Sequence, residues 1–448
     1  MRGVKPGVKC ALWWIQWFIG AAGLLFFVGF RWGLPPYPSP PPGVRLEPLL
    51  QPITKDGVST NNAAFHYLRA FEWLGQYQQT KESESQMNAV MDGDPSGGTE
   101  ALEQSIAECQ LALELIREGV EQSHCQMPLE PLREVDNPWW KHARKGARLL
   151  CCEARLAARA GDWEKAIRDC TVVVKLGQHC TRGSPVIGHL VGIALQSMGA
   201  TTLRALVLEH NVPADLLRHA AKQWDGLRSG AQPVAETLRY ELIGSKQSIV
   251  QSFLSESGAR VVVSSNASHR LFDAAFGQMI AEVEKPYREC DASTIMNKWD
   301  VSSNTVWRLA FRQPITRILI GMLLPALESL NAKEAICQAE LDATITICAI
   351  QALIEDRGIV PDKLDTLVRG YLQTIPADPF NGEPFRYRRD GQEWVIWSVG
   401  SDFRDDNAAW HEFKYRASYG RPRDGDIYFR STEPQDDRTY SRTRKPCP

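Results

Sequence analysis

Between Ala11 and Phe30 the chain runs for 20 residues without a charge and carries Trp13, Trp14, Trp17, Phe18, Leu24, Leu25, Phe26, Phe27 and Val28. As a helix rising 1.5 Å per residue, that length matches the roughly 30 Å hydrocarbon layer of a bilayer. A cleaved signal peptide has a shorter apolar core, about 7 to 15 residues, followed by a small-x-small site. Here the stretch continues into Phe30, Arg31 and Trp32, so residues 11–30 are read as a retained transmembrane anchor. Arg2, Lys5 and Lys9 precede it with no acid among residues 1–10, and only Arg31 follows closely. That flank predicts a single pass with a cytoplasmic N-terminus and an exported bulk, which in a bacterium means the inner membrane and the periplasm. Ile318 to Leu327 is also apolar, but ten residues holding Pro325 between Arg317 and Glu328 predict a buried helix and no second span.

Eight prolines fall between Pro35 and Pro52. Each fixes φ and removes an amide donor, so residues 31–58 are expected to form a stiff proline-rich linker. Over the whole chain 51 Lys+Arg meet 53 Asp+Glu, a balance that gives no pull toward nucleic acid. With 448 residues, 44% of them hydrophobic, the chain can bury the cores of two or three units.

Residues 59–335 read as a mainly α domain, an irregular helical bundle or short solenoid. Ser59, Thr60 or Asn61 signals the first helix, ahead of Ala64, Tyr67, Leu68, Phe71 and Leu74. A polar stretch with Gly93, Pro95, Gly97 and Gly98 reads as a loop, and one amphipathic helix is expected from Thr99 to before Pro128. Trp139 to Ala160, the turn Gly161-Asp162-Trp163, and Glu164 to Gly177 describe two antiparallel helices packed through small residues. This pair resembles one tetratricopeptide-type hairpin, without a second copy at a 34-residue period. Further helices are predicted over Pro185 to Glu209, Pro213 to Arg228, Val234 to Ser255, His269 to Cys290 and Asn304 to Leu330.

Catalytic signatures are absent locally. The nine histidines show no His-Glu-x-x-His, and there is neither a Gly-x-Ser-x-Gly elbow nor a Gly-x-x-x-x-Gly-Lys-Ser/Thr loop. Triads assembled from distant residues stay open. Eleven cysteines occur without Cys-x-x-Cys. They are either small buried hydrophobes or, after export, bridges such as Cys170 with Cys180 or Cys109 with Cys125. His66 reads as a structural side chain, and Trp139 and Trp140 as packing anchors. Lys141, Arg144, Lys145 and Arg148 share one helical face, either solvated or turned to an anionic partner.

The grammar changes over residues 336–430. A helix carrying Leu341, Ile345, Ile347, Ala349, Ile350 and Leu353 runs to Gly358. It is followed by Pro361, Leu364, Leu367, Tyr371-Leu372 and Pro376-Ala377-Asp378-Pro379-Phe380-Asn381-Gly382. Strand-like Pro384 to Arg388 and Trp394 to Val399 come next, then Ser398-Val399-Gly400-Ser401-Asp402, Asp405-Asp406 and Asp424-Gly425-Asp426-Ile427. This order resembles the C-terminal domain of the type II secretion major pseudopilin, a small α+β module with antiparallel strands. The resemblance covers about one fifth of the chain. It implies a calcium site whose matching positions are Ser398, Asp402, Asp405, Asp406, Asp424 and Asp426. Several carboxylates in two short loops repel unless they are solvated, paired or bridged by a hard cation, and Arg404, Arg416, Arg421 and Arg423 are the candidates to pair with them. A proline linker and a helical body between anchor and module set the chain apart from a filament subunit. Residues 431–448 form a polar tail.

The expected protein is a membrane-anchored, non-enzymatic extracytoplasmic scaffold or interaction protein with protein partners in the envelope, alongside a secretion or pilus-like system. The alternative is an envelope hydrolase with an active site assembled from distant helices.

Overall fold

The computed structural model describes residues 39–94, 98–129, 139–255, 265–291, 314–368, 370–408 and 425–431. The anchor 11–30, its flanking charges, the tail, Asp424, and Arg416, Arg421 and Arg423 lie outside these residues. The structure is mainly helical, at 62%, with 11 α-helices and a small three-stranded antiparallel sheet among the described residues. The helices are α1 Ala63–Gln76, α2 Lys81–Met91, α3 Glu100–Glu108, α4 Gln110–Val120, α5 Trp139–Arg159 and α6 Trp163–Thr181. They continue as α7 Val186–Glu209, α8 Ala214–Asp225, α9 Val234–Ser255, α10 Ser265–Val283 and α11 Pro314–Arg357. The strands are β1 Arg386–Asp390, β2 Glu393–Ser398 and β3 Ile427–Arg430, in that order across the sheet. Residues 40–448 form one unit, separate from residues 1–39.

Local chemistry explains the helix starts. Asn62 caps α1: its Oδ1 accepts from Ala64 N at 3.1 Å and also from Gln126 N at 3.0 Å, while its amide donates to the Gln126 carbonyl at 3.0 Å. One buried side chain thus closes a helix end and ties it to a segment 64 residues away. Thr80 caps α2 by accepting from Ser83 N, and Asp162 caps α6 by accepting from Lys165 N. Gly161, at φ +80°, makes the left-handed turn between α5 and α6. The single helix expected from Thr99 is two, broken at Cys109 and ending at Val120. Both pieces bury apolar residues in the same core: Leu102 and Ile106 on α3, Leu113 and Ile116 on α4.

The closest packing is between α6 and α7. A Cβ on Gly177 would stand 2.6 Å from the Gly192 carbonyl, one on Gly192 would stand 2.5 Å from the Gly177 carbonyl, and one on Gly199 would stand 2.9 Å from the Cys170 carbonyl. Side chains there would push the backbones apart. Cys109, Cys125, Cys151, Cys152, Cys170, Cys180, Cys337 and Cys348 are buried, unbridged thiols. Cys170 and Cys180 sit on one helix, about 15 Å apart by its rise, well beyond disulfide reach. They fill the core as small hydrophobes.

Trp139 stacks on Phe71 at 6.3 Å and meets Trp140 edge-on at 5.8 Å, both rings packing against the core. Lys145 of the basic face donates to the carbonyls of Leu74 (3.0 Å) and Tyr77 (2.6 Å) at the end of α1 and lies over the Tyr77 ring. A cation at a helix C-terminus satisfies orphan carbonyls and the dipole together. Arg148 donates to Asn88, while Lys141 and Arg144 stay exposed.

Residues 40–53 lie along the body. Arg239 Nε donates to the Arg45 carbonyl (2.9 Å), Leu49 N to Glu236 (2.9 Å), and the Tyr240 hydroxyl to the Leu50 carbonyl (2.8 Å). Gln126 Nε2 donates to the Gln51 carbonyl (2.7 Å) and Leu129 N to the Ile53 carbonyl (2.9 Å). Arg45 pairs with Glu236, itself held by Arg239. The strap's prolines lack amide donors and cannot build a ladder of their own, so most of its hydrogen bonds run from body donors to strap carbonyls.

Helix α11 packs on α7, α8 and α10 and reaches β2. It runs unbroken through residues 335 and 336, where the domain boundary was drawn, with Leu330, Ala332, Ala335, Cys337, Ala339 and Leu341 all buried. Two described stretches are long and apolar enough to cross a membrane by length and composition: α7, with mean hydropathy 1.4, and Ser329–Arg357 of α11, with 1.2. Of these windows 61% and 78% are buried inside the fold, and the central helix of a globular body meets the same test.

Candidate functional site

The turn Asp378 to Gly382 is locked onto the sheet by its first residue. One Asp378 oxygen accepts from Phe380 N (3.0 Å) and Ser398 Oγ (2.8 Å), the other from Val399 N (2.9 Å). Gly382, at φ +75°, returns its N–H to the Asp378 carbonyl at 2.8 Å. The turn stands beside residues 228–229 after α8, residues 286–288 and α11, and together they line an open pocket of about 510 Å³.

Arg228, Tyr287, Arg288, Asp342, Asp378 and Phe380 define the cavity walls. Arg228 grips Asp342 with Nε at 2.6 Å and Nη2 at 3.2 Å, and Gln338 donates to the same carboxylate at 3.0 Å. Burial alone would lower the Arg228 guanidinium, but the hydrogen bonds and charge of Asp342 outweigh it and hold the group raised. Both carboxylates of the cavity are thus engaged in holding walls together. Tyr287 meets Phe380 edge-on at 4.9 Å and approaches Phe403 at 6.1 Å. Phe403 is 47% exposed and stands at φ +60°, a conformation uncommon for a bulky residue.

The acidic positions read as calcium ligands fall at the far end of β2, and they divide. The Ser398 hydroxyl is spent on Asp378. Asp402 accepts from Arg404 N in a local turn. Asp405 accepts from Trp397 Nε1 (2.9 Å), Asn407 N (2.9 Å) and Arg386 (3.3 Å). Burial tends to raise its carboxyl, but these bonds prevail and lower it. Arg386 therefore supplies the neutralising cation there, in place of Arg404. Asp426 is buried; one oxygen accepts from Ala408 N at 2.8 Å and the other, Oδ1, has no partner. Burial, with the nearby charges of Asp405 and Asp406, raises its carboxyl. Among the described residues no three His, Cys, Asp or Glu side chains converge as a metal cage. The atom that suits a cation is Asp426 Oδ1.

One hydroxyl–imidazole–carboxylate chain exists elsewhere. His189 lies 2.6 Å from Thr237 Oγ1 and 2.9 Å from Glu334. Thr237 also accepts from Gln232 and, like His189, is completely buried, so the chain ties α7, α9 and α11 together, with Glu334 at its partly exposed end. His66 faces Glu118 at 3.3 Å on the surface of α1. Sequence reasoning missed the cavity because its walls come from residues 228, 287–288, 342 and 378–380; only the Asp-Pro-Phe-Asn-Gly turn was visible as a motif.

No family model, curated protein or solved structure matches the chain.

Proposed function

We propose that the protein is a single-pass, membrane-anchored scaffold that presents a binding body outside the bacterial inner membrane. The observation that carries this reading is the strap: residues 40–53 are fastened to the body by five backbone-directed hydrogen bonds. Chain that follows so soon after the 11–30 stretch is thus used to seat the body. A cavity walled by residues from distant parts of the chain gives that body a place to hold a partner. The sequence resemblances of residues 139–177 to a tetratricopeptide-type hairpin and of residues 336–430 to a pseudopilin domain are what favour a partner in a secretion or pilus-like apparatus. The competing reading, an envelope hydrolase, would draw on Asp342 and Asp378; both oxygens of each already accept structural hydrogen bonds, which favours a wall role over proton transfer. Deleting residues 11–30 tests the anchor. The full chain is expected in the carbonate-resistant membrane pellet and the deletion in the supernatant, whereas a deletion that still pellets as a folded protein would remove it.

We also propose calcium at the acidic corner of Ser398, Asp402, Asp405, Asp406, Asp424 and Asp426, with Asp426 as the position best suited to it. The support is the buried, unpartnered Asp426 Oδ1. Bound calcium would offset the charge of the two loops. A cation taken only by the folded state stabilises it by RT ln(1 + [L]/Kd), roughly 2.7 kcal/mol at a hundredfold excess. The melting temperature of the full chain should rise in millimolar calcium and fall in chelator, with the response lost in Asp426→Asn. Identical melts in calcium and chelator would leave the corner as an arginine-braced loop.

A further inference from the structure

The strap lies in a built groove yet adds little core of its own. Residues 39–54 run without helix or strand, and among residues 39–53 only Pro48 is buried. Leu49 is 75% exposed and Leu50 49%. What holds the segment is a row of body side chains aimed at its backbone. Arg239 Nε donates to the Arg45 carbonyl, the Tyr240 hydroxyl to the Leu50 carbonyl and Gln126 Nε2 to the Gln51 carbonyl, while Glu236 accepts from Leu49 N. Two further contacts read side chains. On α10, Gly277 leaves a seat for proline: a Cβ there would stand 2.6 Å from Pro40 Cβ and 3.3 Å from Leu46 Cδ2. On α9, Glu236 meets the Arg45 guanidinium. Glu236 and Glu284 otherwise share one cation, Arg239. Without Arg45 one negative charge of this cluster is left over, and a buried carboxylate draws a cation to it.

We infer that this groove is a recognition site for a proline-containing polypeptide segment that bears an arginine, and that the strap is its displaceable ligand in cis. The inference stands on the strap's contacts alone, whether or not residues 11–30 cross a membrane. Donors directed at carbonyls accept prolines along with other residues, because proline loses its N–H but keeps its carbonyl. Selection comes from the Gly277 seat and from Glu236. With one residue buried, the strap belongs to the low-stability end of the molecule and can lift while the helices beneath it stay folded. A segment arriving in trans meets a groove that is mostly closed, so its apparent affinity is reduced by the fraction of molecules whose strap is open.

The test uses the purified full chain and a fluorescent peptide with the sequence of residues 39–54, titrated by anisotropy. Arg45→Glu in the chain sets a carboxylate against Glu236 and lifts the strap, while the peptide keeps its arginine. The peptide should bind the Arg45→Glu chain about tenfold or more tighter than the wild-type chain, where the strap competes. Replacing the peptide's arginine by alanine should weaken binding to the Arg45→Glu chain about tenfold, the worth of one charge-assisted hydrogen bond. Adding Glu236→Gln to that chain should erase the difference between the two peptides. Circular dichroism checks that the helices stay folded, and Arg45→Ala, which removes the ion pair without adding a charge, repeats the comparison if Arg45→Glu does not fold. No binding to a folded variant, equal affinity for wild-type and variant chains, or an arginine preference that survives Glu236→Gln would each overturn the inference.

Discussion

Single side chains do much of the joining in this fold. Asn62 was legible as a neighbourhood, since Ser59, Thr60 and Asn61 were read as the helix start, but its second role on Gln126 needed the partner segment in place. His179 was not legible at all. It is buried on α6 with Nδ1 2.6 Å from the Tyr67 hydroxyl, and burial, aided by Arg182 and Lys175, pushes its imidazole down to about 3. A histidine lowered in the folded state is protonated first in the unfolded state. Stability from its neutral form is therefore complete above the ordinary imidazole range near pH 6.5 and falls as pH drops toward 3, by up to about 1.4 kcal/mol per pH unit. Acid unfolding of the wild type should steepen below pH 6.5, and the difference from His179→Gln should show that slope. A pH-independent difference would mean that His179 is already protonated in the fold.

Helices were easier to read than their partners. α7 and α9 begin and end within a residue of their sequence limits, because Pro185, Pro213 and Pro233 punctuate them. α2 was missed because it is polar: it buries only Ser83, Gln86, Met87 and Val90, too few for a periodic signal. The small-residue contact expected between α5 and α6 has its tightest counterpart one pair later, at Gly177 and Gly192. Glycines at 188, 192 and 199 were the available signal. Gly192→Ala places a Cβ 2.5 Å from a backbone carbonyl that cannot rotate away, so it should destabilise by about 1–3 kcal/mol in denaturant titration. Gly161→Ala meets no atom within 4 Å and should cost only the roughly 1 kcal/mol of its left-handed φ. Equal losses at the two sites would contradict the close approach of α6 and α7.

At the scale of the whole molecule, the sequence showed where its grammar changes but not how the pieces join. Proline spacing suggested a linker to residue 58, yet the strap is taken up by the body from Pro40, through donors on Gln126, Arg239 and Tyr240 and the accepting carboxylate of Glu236, which no local pattern relates. The change near residue 335 is real in composition, while α11 carries one buried face across it. The cavity likewise belongs to no segment. These joins make the body one presenting unit, and the central claim is that this unit is displayed outside the membrane by residues 11–30. Alkaline phosphatase, active only after export, fused after Pro448 measures that claim most directly. The account predicts an active fusion in the membrane fraction; a well-expressed, membrane-bound but inactive fusion would contradict it.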